Sequence, residues 1–189
     1  MQARWTEEQV EKVNQCLVKG KLLDSPFGLF ETRIDLRGLP LKEFIKGKTL
    51  EGINFTFMTR VFAAQIGMSK VNDCIFSGAE LDINLGKVFK NCVFEKAKMK
   101  EVCLRGEFED CSFEGANMSS CKGDSVKFIN CSFKRANLTK VQLTNCLFEK
   151  CTFDGARMAG GSLHSSEFIT NHPDSQQLGN TIMERCAFL

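Results

Sequence analysis

The chain is 189 residues long, 43% apolar and 25% charged, with a formal net charge of +2. That balance fits one folded domain; it excludes a disordered chain, a polybasic nucleic-acid binder and a strongly acidic surface. No apolar run approaches the ~18 residues of a membrane-spanning helix, and MQARWTEEQVEKVNQ lacks the apolar stretch of a secretion signal, so a cytoplasmic location is expected.

The chain opens with helix signals. Thr6 and Gln9 have the spacing of a capping box, and Trp5 with Val10 that of a hydrophobic staple. Val10, Val13 and Leu17 share one face of a helix that Gly20 closes. That face needs cover, and the nearest cover is the body that follows. A helical cap is the expectation, with a protein-binding helix as the alternative. Residues 21–48, with Pro26, Pro40 and several glycines, read as an irregular connection in which residues 40–47 form a short helix.

The middle of the chain repeats. CIFSGAEL from Cys74, CVFEKAKM from Cys92, CSFEGANM from Cys111, CSFKRANL from Cys131 and CTFDGARM from Cys151 share the pattern C-x-F-x-x-A-x-[LM]. Their starts converge on a period of twenty, and inside it runs a period of five. Phe108, Phe113, Met118, Phe128, Phe133, Leu138 and onward to Phe168 recur every fifth residue, each with a small residue two places before it. A helix repeats its apolar stripe at three and four, and a strand alternates at two, so period five is neither. An earlier, looser run takes in Val61, Ile66, Val71, Phe76 and Leu81. The pattern slips near residues 85–88 and 105–107, and Gly123 and Pro173 stand where a bulky residue belongs. Such breaks are candidate bulges or loops, where a solenoid places specific function.

These segments resemble the pentapeptide-repeat family, whose unit is a small residue, any residue, then Leu or Phe. The resemblance implies an all-β solenoid, a right-handed quadrilateral β-helix with four pentapeptides per square coil, here carrying an N-terminal capping α-helix. The bulky residue and the small one two before it then point into the column. Coils stack at about 4.8 Å, which makes a ladder of Phe113, Phe133 and Phe153 on one side. The expected division is a cap and connection over 1–48, the β-helix over 49–170, and a last coil or cap over 171–189. The tail's five-residue phase favours a coil, although its composition also permits a closing helix.

Ten cysteines invite a disulfide or metal reading, but no secretion signal and no CxxC accompany them. At inward repeat positions they read as reduced, buried thiols. No P-loop, nucleophile elbow, zinc-protease or dinucleotide motif occurs. His164 is the one conceivable partner for a cysteine nucleophile, and it reads as a surface residue. Glu95, Glu114 and Asp154 form an outward acidic row that Lys134 interrupts, which a solvated face explains. Neither a catalytic group, nor a cofactor, nor a metal site is expected, and no partner-binding residue can be singled out.

Function therefore reads as a non-catalytic scaffold that binds another protein, with neither nucleic acid nor membrane as a direct partner. The family resemblance implies a bacterial origin and one alternative: an inhibitor that imitates duplex DNA to occupy gyrase, as quinolone-protection members do. Mimicry needs a strongly negative rod, since DNA carries one charge per ~1.7 Å. Residues 74–170 hold 12 acidic and 13 basic side chains, a balance of +1. An enzyme is the least supported class.

Overall fold

The computed structural model describes residues 4–21, 25–60, 65–81 and 87–189. They form a right-handed quadrilateral β-helix of about seven turns with one N-terminal helix. Short strands from successive turns pair in parallel. The longest sheet has eight strands, ending with Val88–Lys90, Glu107–Glu109, Lys127–Ile129, Leu147–Glu149, Glu167–Ile169 and Ala187–Phe188. This is the first face. The second runs through the bridges Val93, Ser112, Ser132 and Thr152, and the third through Lys98, Asn117, Asn137 and Arg157. The fourth holds Cys103–Leu104, Lys122–Asp124, Gln142–Thr144, Ser162–His164 and Ile182–Glu184.

The narrow column explains the period of five. Each side of the square inserts one large side chain, and the corner beside it admits only a small one. Phe108, Phe113, Met118, Cys121, Val126, Ala136 and Val141 are all fully buried. The expected Phe ladder is one of two. Phe55, Phe76, Phe94, Phe113, Phe133 and Phe153 stack along the second face with centroids 4.9–5.3 Å apart. Phe89, Phe108, Phe128, Phe148, Phe168 and Phe188 do the same along the first face at 4.8–5.4 Å. The stacks meet edge-on, as where Phe128 and Phe133 cross at 78°. Each buried ring contributes roughly 2 kcal/mol by burial, and the ring pairs add about 0.5–1.5 kcal/mol more.

Along the regular repeat the corner bends at the second residue after the bulky one, which takes a left-handed conformation: Asn91, Lys96, Asp110, Ser120, Ser125, Asn130, Arg135, Lys140, Asn145 and Lys150 all have φ between 51° and 58°. Asn and Asp tolerate this region best among side-chained residues. They also brace neighbouring turns, since Asn130 donates to Asp110 and Asn145 donates to Asp124.

All ten cysteines are free and seven are buried. Cys111, Cys131 and Cys151 point inward in successive turns, and each thiol donates to a carbonyl one turn back: Phe89, Phe108 and Phe128 respectively. Burial pushes the Cys121 thiol up to about 12 and the Cys146 thiol to about 11, so both stay protonated at neutral pH.

The N-terminal helix α1 spans Glu7–Lys19, with the Thr6–Gln9 capping box formed and Gly20 closing it at φ 63°. Trp5, Val10, Val13 and Leu17 are buried. The helix packs on strands Pro40–Leu41 and Phe44–Lys46 of the first turn. Asn14 joins the two, donating to the Val10 and Pro40 carbonyls and accepting from the Lys42 amide.

Two sequence expectations need correction here. Residues 40–47 are not a short helix, because Leu41 and Ile45 face the column and their strands pair with Thr59–Arg60 and Gln65–Gly67. Within the region read as an irregular connection, Leu29–Phe30 and Arg33–Asp35 form an antiparallel hairpin whose second strand pairs with Ile53–Asn54. The tail combines both of its readings. Pro173 is buried ahead of a one-turn helix α2, Ser175–Leu178, set by an Asp174–Gln177 capping box, and a final coil follows. Val61 of the looser run lies outside the described residues.

Candidate interaction surface

On most of the prism the outward positions form flat rows in which charges meet across turns. Lys90 pairs with Glu109 and Arg135 with Glu114. Lys98 pairs with Glu80 at 3.1 Å, and that hydrogen bond holds the Glu80 carboxyl below its usual range. The acidic row of Glu95, Glu114 and Asp154 is thus partly neutralised, with Lys134 beside Arg135 inside it.

The repeat breaks on the fourth face. Leu104 pairs with Gly123, nineteen residues on, whereas Glu107 pairs with Lys127, twenty residues on. The turn is therefore one residue short between Leu104 and Glu107. Gly106 makes this possible by filling two roles. It takes the left-handed corner conformation, with φ 79°, that Ser125 has in the next turn. Its carbonyl also accepts from Lys127, as that of the inward residue Val126 accepts from Leu147. A Cβ on Gly106 would lie 2.3 Å from the Lys87 carbonyl oxygen, so no side chain fits. The second expected short corner, at 85–88, lies partly outside the described residues.

Beside this slip, Gly123 takes a place where neighbouring turns insert Leu104 and Leu143. Val126 and Leu143 have closed over the space, since a Cβ there would meet them at 2.9 and 3.0 Å. Outside, the same stretch forms a depression of about 420 Å³, lined among others by Cys103, Arg105, Lys122, Asp124, Gln142 and Thr144. Asp124 is held by Asn145 at 3.1 Å and by the Ser125 hydroxyl at 3.2 Å. Arg105 and Lys122 are exposed and have no ion-pair partner among the described residues.

Two of the sequence-marked breaks, residues 105–107 and Gly123, thus fall together, while Pro173 lies in the tail. Sequence reasoning missed Cys103, Lys122, Gln142 and Thr144. Their signal was available: they flank Leu104, Gly123 and Leu143 at outward positions one period apart. His164 faces Glu184 at 3.3 Å, and His172 packs edge-on against Phe188. Among the described residues no group of three or more His, Cys, Asp or Glu is arranged to hold a metal ion.

Residues 86–158 are matched by the family model described as a pentapeptide repeat region, and the fold matches the β-helix of pentapeptide-repeat proteins. Among solved structures it is similar to full-length QnrB1, a plasmid-mediated fluoroquinolone resistance protein, at 20% identity and a TM-score of 0.51. That match covers 78% of this chain and 80% of QnrB1. Another is HetL of the cyanobacterium Nostoc sp. strain PCC 7120, a pentapeptide repeat protein involved in heterocyst differentiation regulation, at 14% identity and a TM-score of 0.25 over 84% of this chain and 88% of HetL. No curated protein matches the chain by sequence. No helix among the described residues is long and apolar enough to cross a membrane.

Proposed function

We propose that this chain is a non-catalytic, cytoplasmic interaction scaffold, and that the fourth-face depression is where it meets a partner protein. The observation that carries this reading is the coincidence of the Gly106 slip, Gly123 and the concavity at one place on the fourth face. A solenoid recognises partners through its extended surface, and a break in the repeat is where that surface becomes specific. Duplex mimicry is disfavoured by charge: the first face carries Glu107, Glu109, Asp110, Glu149 and Glu167, but Lys90, Lys127 and Lys150 are interleaved with them.

The test is a photo-crosslinking amino acid at Gln142, compared with one at Asp154 on the second face, in extracts of the source cells. A discrete protein adduct at Gln142 and none at Asp154 is expected. Equal labelling at both positions, or none at either, would sink the assignment. Purified gyrase, with and without a fluoroquinolone, should keep its supercoiling activity and drug sensitivity across a titration of this protein. Inhibition or protection at low excess would reinstate the mimicry reading.

A further inference from the structure

The fourth-face depression belongs to a wider asymmetry of charge. Between residues 87 and 170, the outward positions of the third and fourth faces carry Lys98, Lys100, Arg105, Lys122, Lys140 and Arg157, against Glu101 and Asp124. The outward positions of the first and second faces carry more carboxylates than cations over the same span. With eight carboxylates against seven cations there, the positive excess of the span lies on the third and fourth faces.

Ion pairs account for two of the six cations. Lys98 and Lys100 are engaged by Glu80 and Glu101. Arg105, Lys122, Lys140 and Arg157 have no ion-pair partner among the described residues. Arg105 and Lys122 stand in the depression itself, and Lys140 stands at the corner between the two faces, in the turn after Lys122. Gln142 and Thr144, one turn beyond Lys122 and Asp124, add neutral hydrogen-bonding groups to the lining.

We propose that the occupant of this depression is an acidic segment of a partner protein, with carboxylates set against Arg105 and Lys122 and flanking negative charge along Lys140 and Arg157. The proposal rests on the reading of the fourth face as a docking surface and names its chemistry. Arg105 offers a planar fork that matches a carboxylate in two-point geometry, while Lys122 offers a compact point charge. Opposite charge at this range steers encounter and fixes register more than it adds raw affinity. A nucleic acid is the less favoured polyanion. The depression lacks an aromatic side chain on which a base could stack.

The probe is a fluorescein-labelled oligoglutamate peptide, followed by anisotropy at low and at physiological ionic strength. Wild-type protein should bind it, more weakly as salt rises. The double variant Arg105→Glu with Lys122→Glu should bind at least about tenfold more weakly, a loss of about 1.4 kcal/mol. Lys127→Glu with Lys134→Glu changes the net charge equally on the first and second faces and should leave binding within about twofold, as expected for screened, distant charges. All four positions are exposed, so both variants should fold, which thermal melting checks. Equal loss in the two double variants would reduce the effect to net charge and overturn the proposal. So would absence of binding, or tighter binding of a labelled oligothymidylate. If oligoglutamate fails while Gln142 still crosslinks a protein, the acidic chemistry falls and the docking surface stands.

Discussion

At the scale of single residues, glycines separate two demands that are usually confounded. Gly115 and Gly106 both sit at left-handed corners, with φ 64° and 79°. A Cβ on Gly115 would only touch Lys96 at 3.5 Å, whereas on Gly106 it would strike backbone. Gly115→Ala should therefore cost about 1–2 kcal/mol, the conformational term alone. Gly106→Ala should cost distinctly more, roughly 3 kcal/mol or above, because the turn must be rebuilt. Urea midpoints compare the two, and equal shifts would mean the short corner is slack. Inward small residues give the complementary case. Ala136 is fully buried, and Ala136→Leu should overpack the column by roughly 1–3 kcal/mol. The thiols report the same packing without mutation. Only Cys16, Cys103 and Cys186 are partly exposed, so a thiol-specific chromogenic reagent should modify no more than these three in the native protein and all ten after denaturation. Rapid native reaction of a fourth would show that the column opens.

At the scale of elements, the N-terminal cap is fastened by polar groups that apolar periodicity does not report. Asn14 has no exposed surface, and Asn14→Ala would strand the Pro40 carbonyl and the Lys42 amide at a cost of about 1–3 kcal/mol. Asp35 is the second fastener. It accepts from Arg37 at 3.0 Å through two guanidinium nitrogens and pairs with Arg4 at 2.6 Å, while Trp5 donates to the Arg37 carbonyl. Burial pushes the Asp35 carboxyl up, but the hydrogen bonds from Arg37 and Arg4 outweigh it and hold the group at about 2. A lowered folded value means that Asp35 stabilises fully above the unfolded carboxylate range near 3.9, with the contribution lost as pH falls towards 2. Asp35→Asn should be less stable than wild type at neutral pH, with the gap closing below about pH 4, where the wild-type carboxylate begins to lose its advantage. A gap independent of pH would mean the carboxylate charge is not what holds the cap. This region also shows where the sequence stops being legible. The column from Ile66 onward was readable because one bulky and one small residue per five is a steric requirement. Leu36, Leu39, Leu41 and Ile45 are equally buried, but they are spaced three, two and four apart in the turn that follows the hairpin, so the same test passes over them. Only the step Ile45, Leu50, Phe55 carried the phase across the expected boundary. The candidate surface divides likewise: Gly123 and residues 105–107 were visible as departures from a rule, whereas Lys122 and Gln142 occupy outward positions where the rule admits any side chain.

At the scale of the whole molecule, strand pairing runs between adjacent turns, with Arg33 reaching past one turn to Asp73, so stability should behave mainly as a chain of nearest-neighbour terms rather than as one global sum. The ring stacks make the coupling measurable. Phe128 is buried between Phe108 and Phe148, at 5.2 and 5.0 Å, and meets Phe133 edge-on. Phe188 stacks on Phe168 on one side only, meets His172 edge-on and is 45% exposed. Phe128→Ala should thus cost about 3–5 kcal/mol, and Phe188→Ala far less, since burial and cavity terms both scale with how enclosed the ring was. Amide hydrogen exchange would show where each loss is felt. In the wild type, protection should peak in the strands Lys127–Ile129 and Leu147–Glu149 and decline towards Ala187–Phe188. Phe188→Ala should lower protection in the last turn only. Phe128→Ala should lower it in the turns on both sides and split the column into two weakly coupled halves. Uniform loss throughout the chain in both variants would mean that the turns fold as one cooperative unit. In that case the cap at one end and the fourth-face depression near the middle would share a single stability, and a partner bound at Arg105 and Lys122 would protect the whole column rather than the turns it touches.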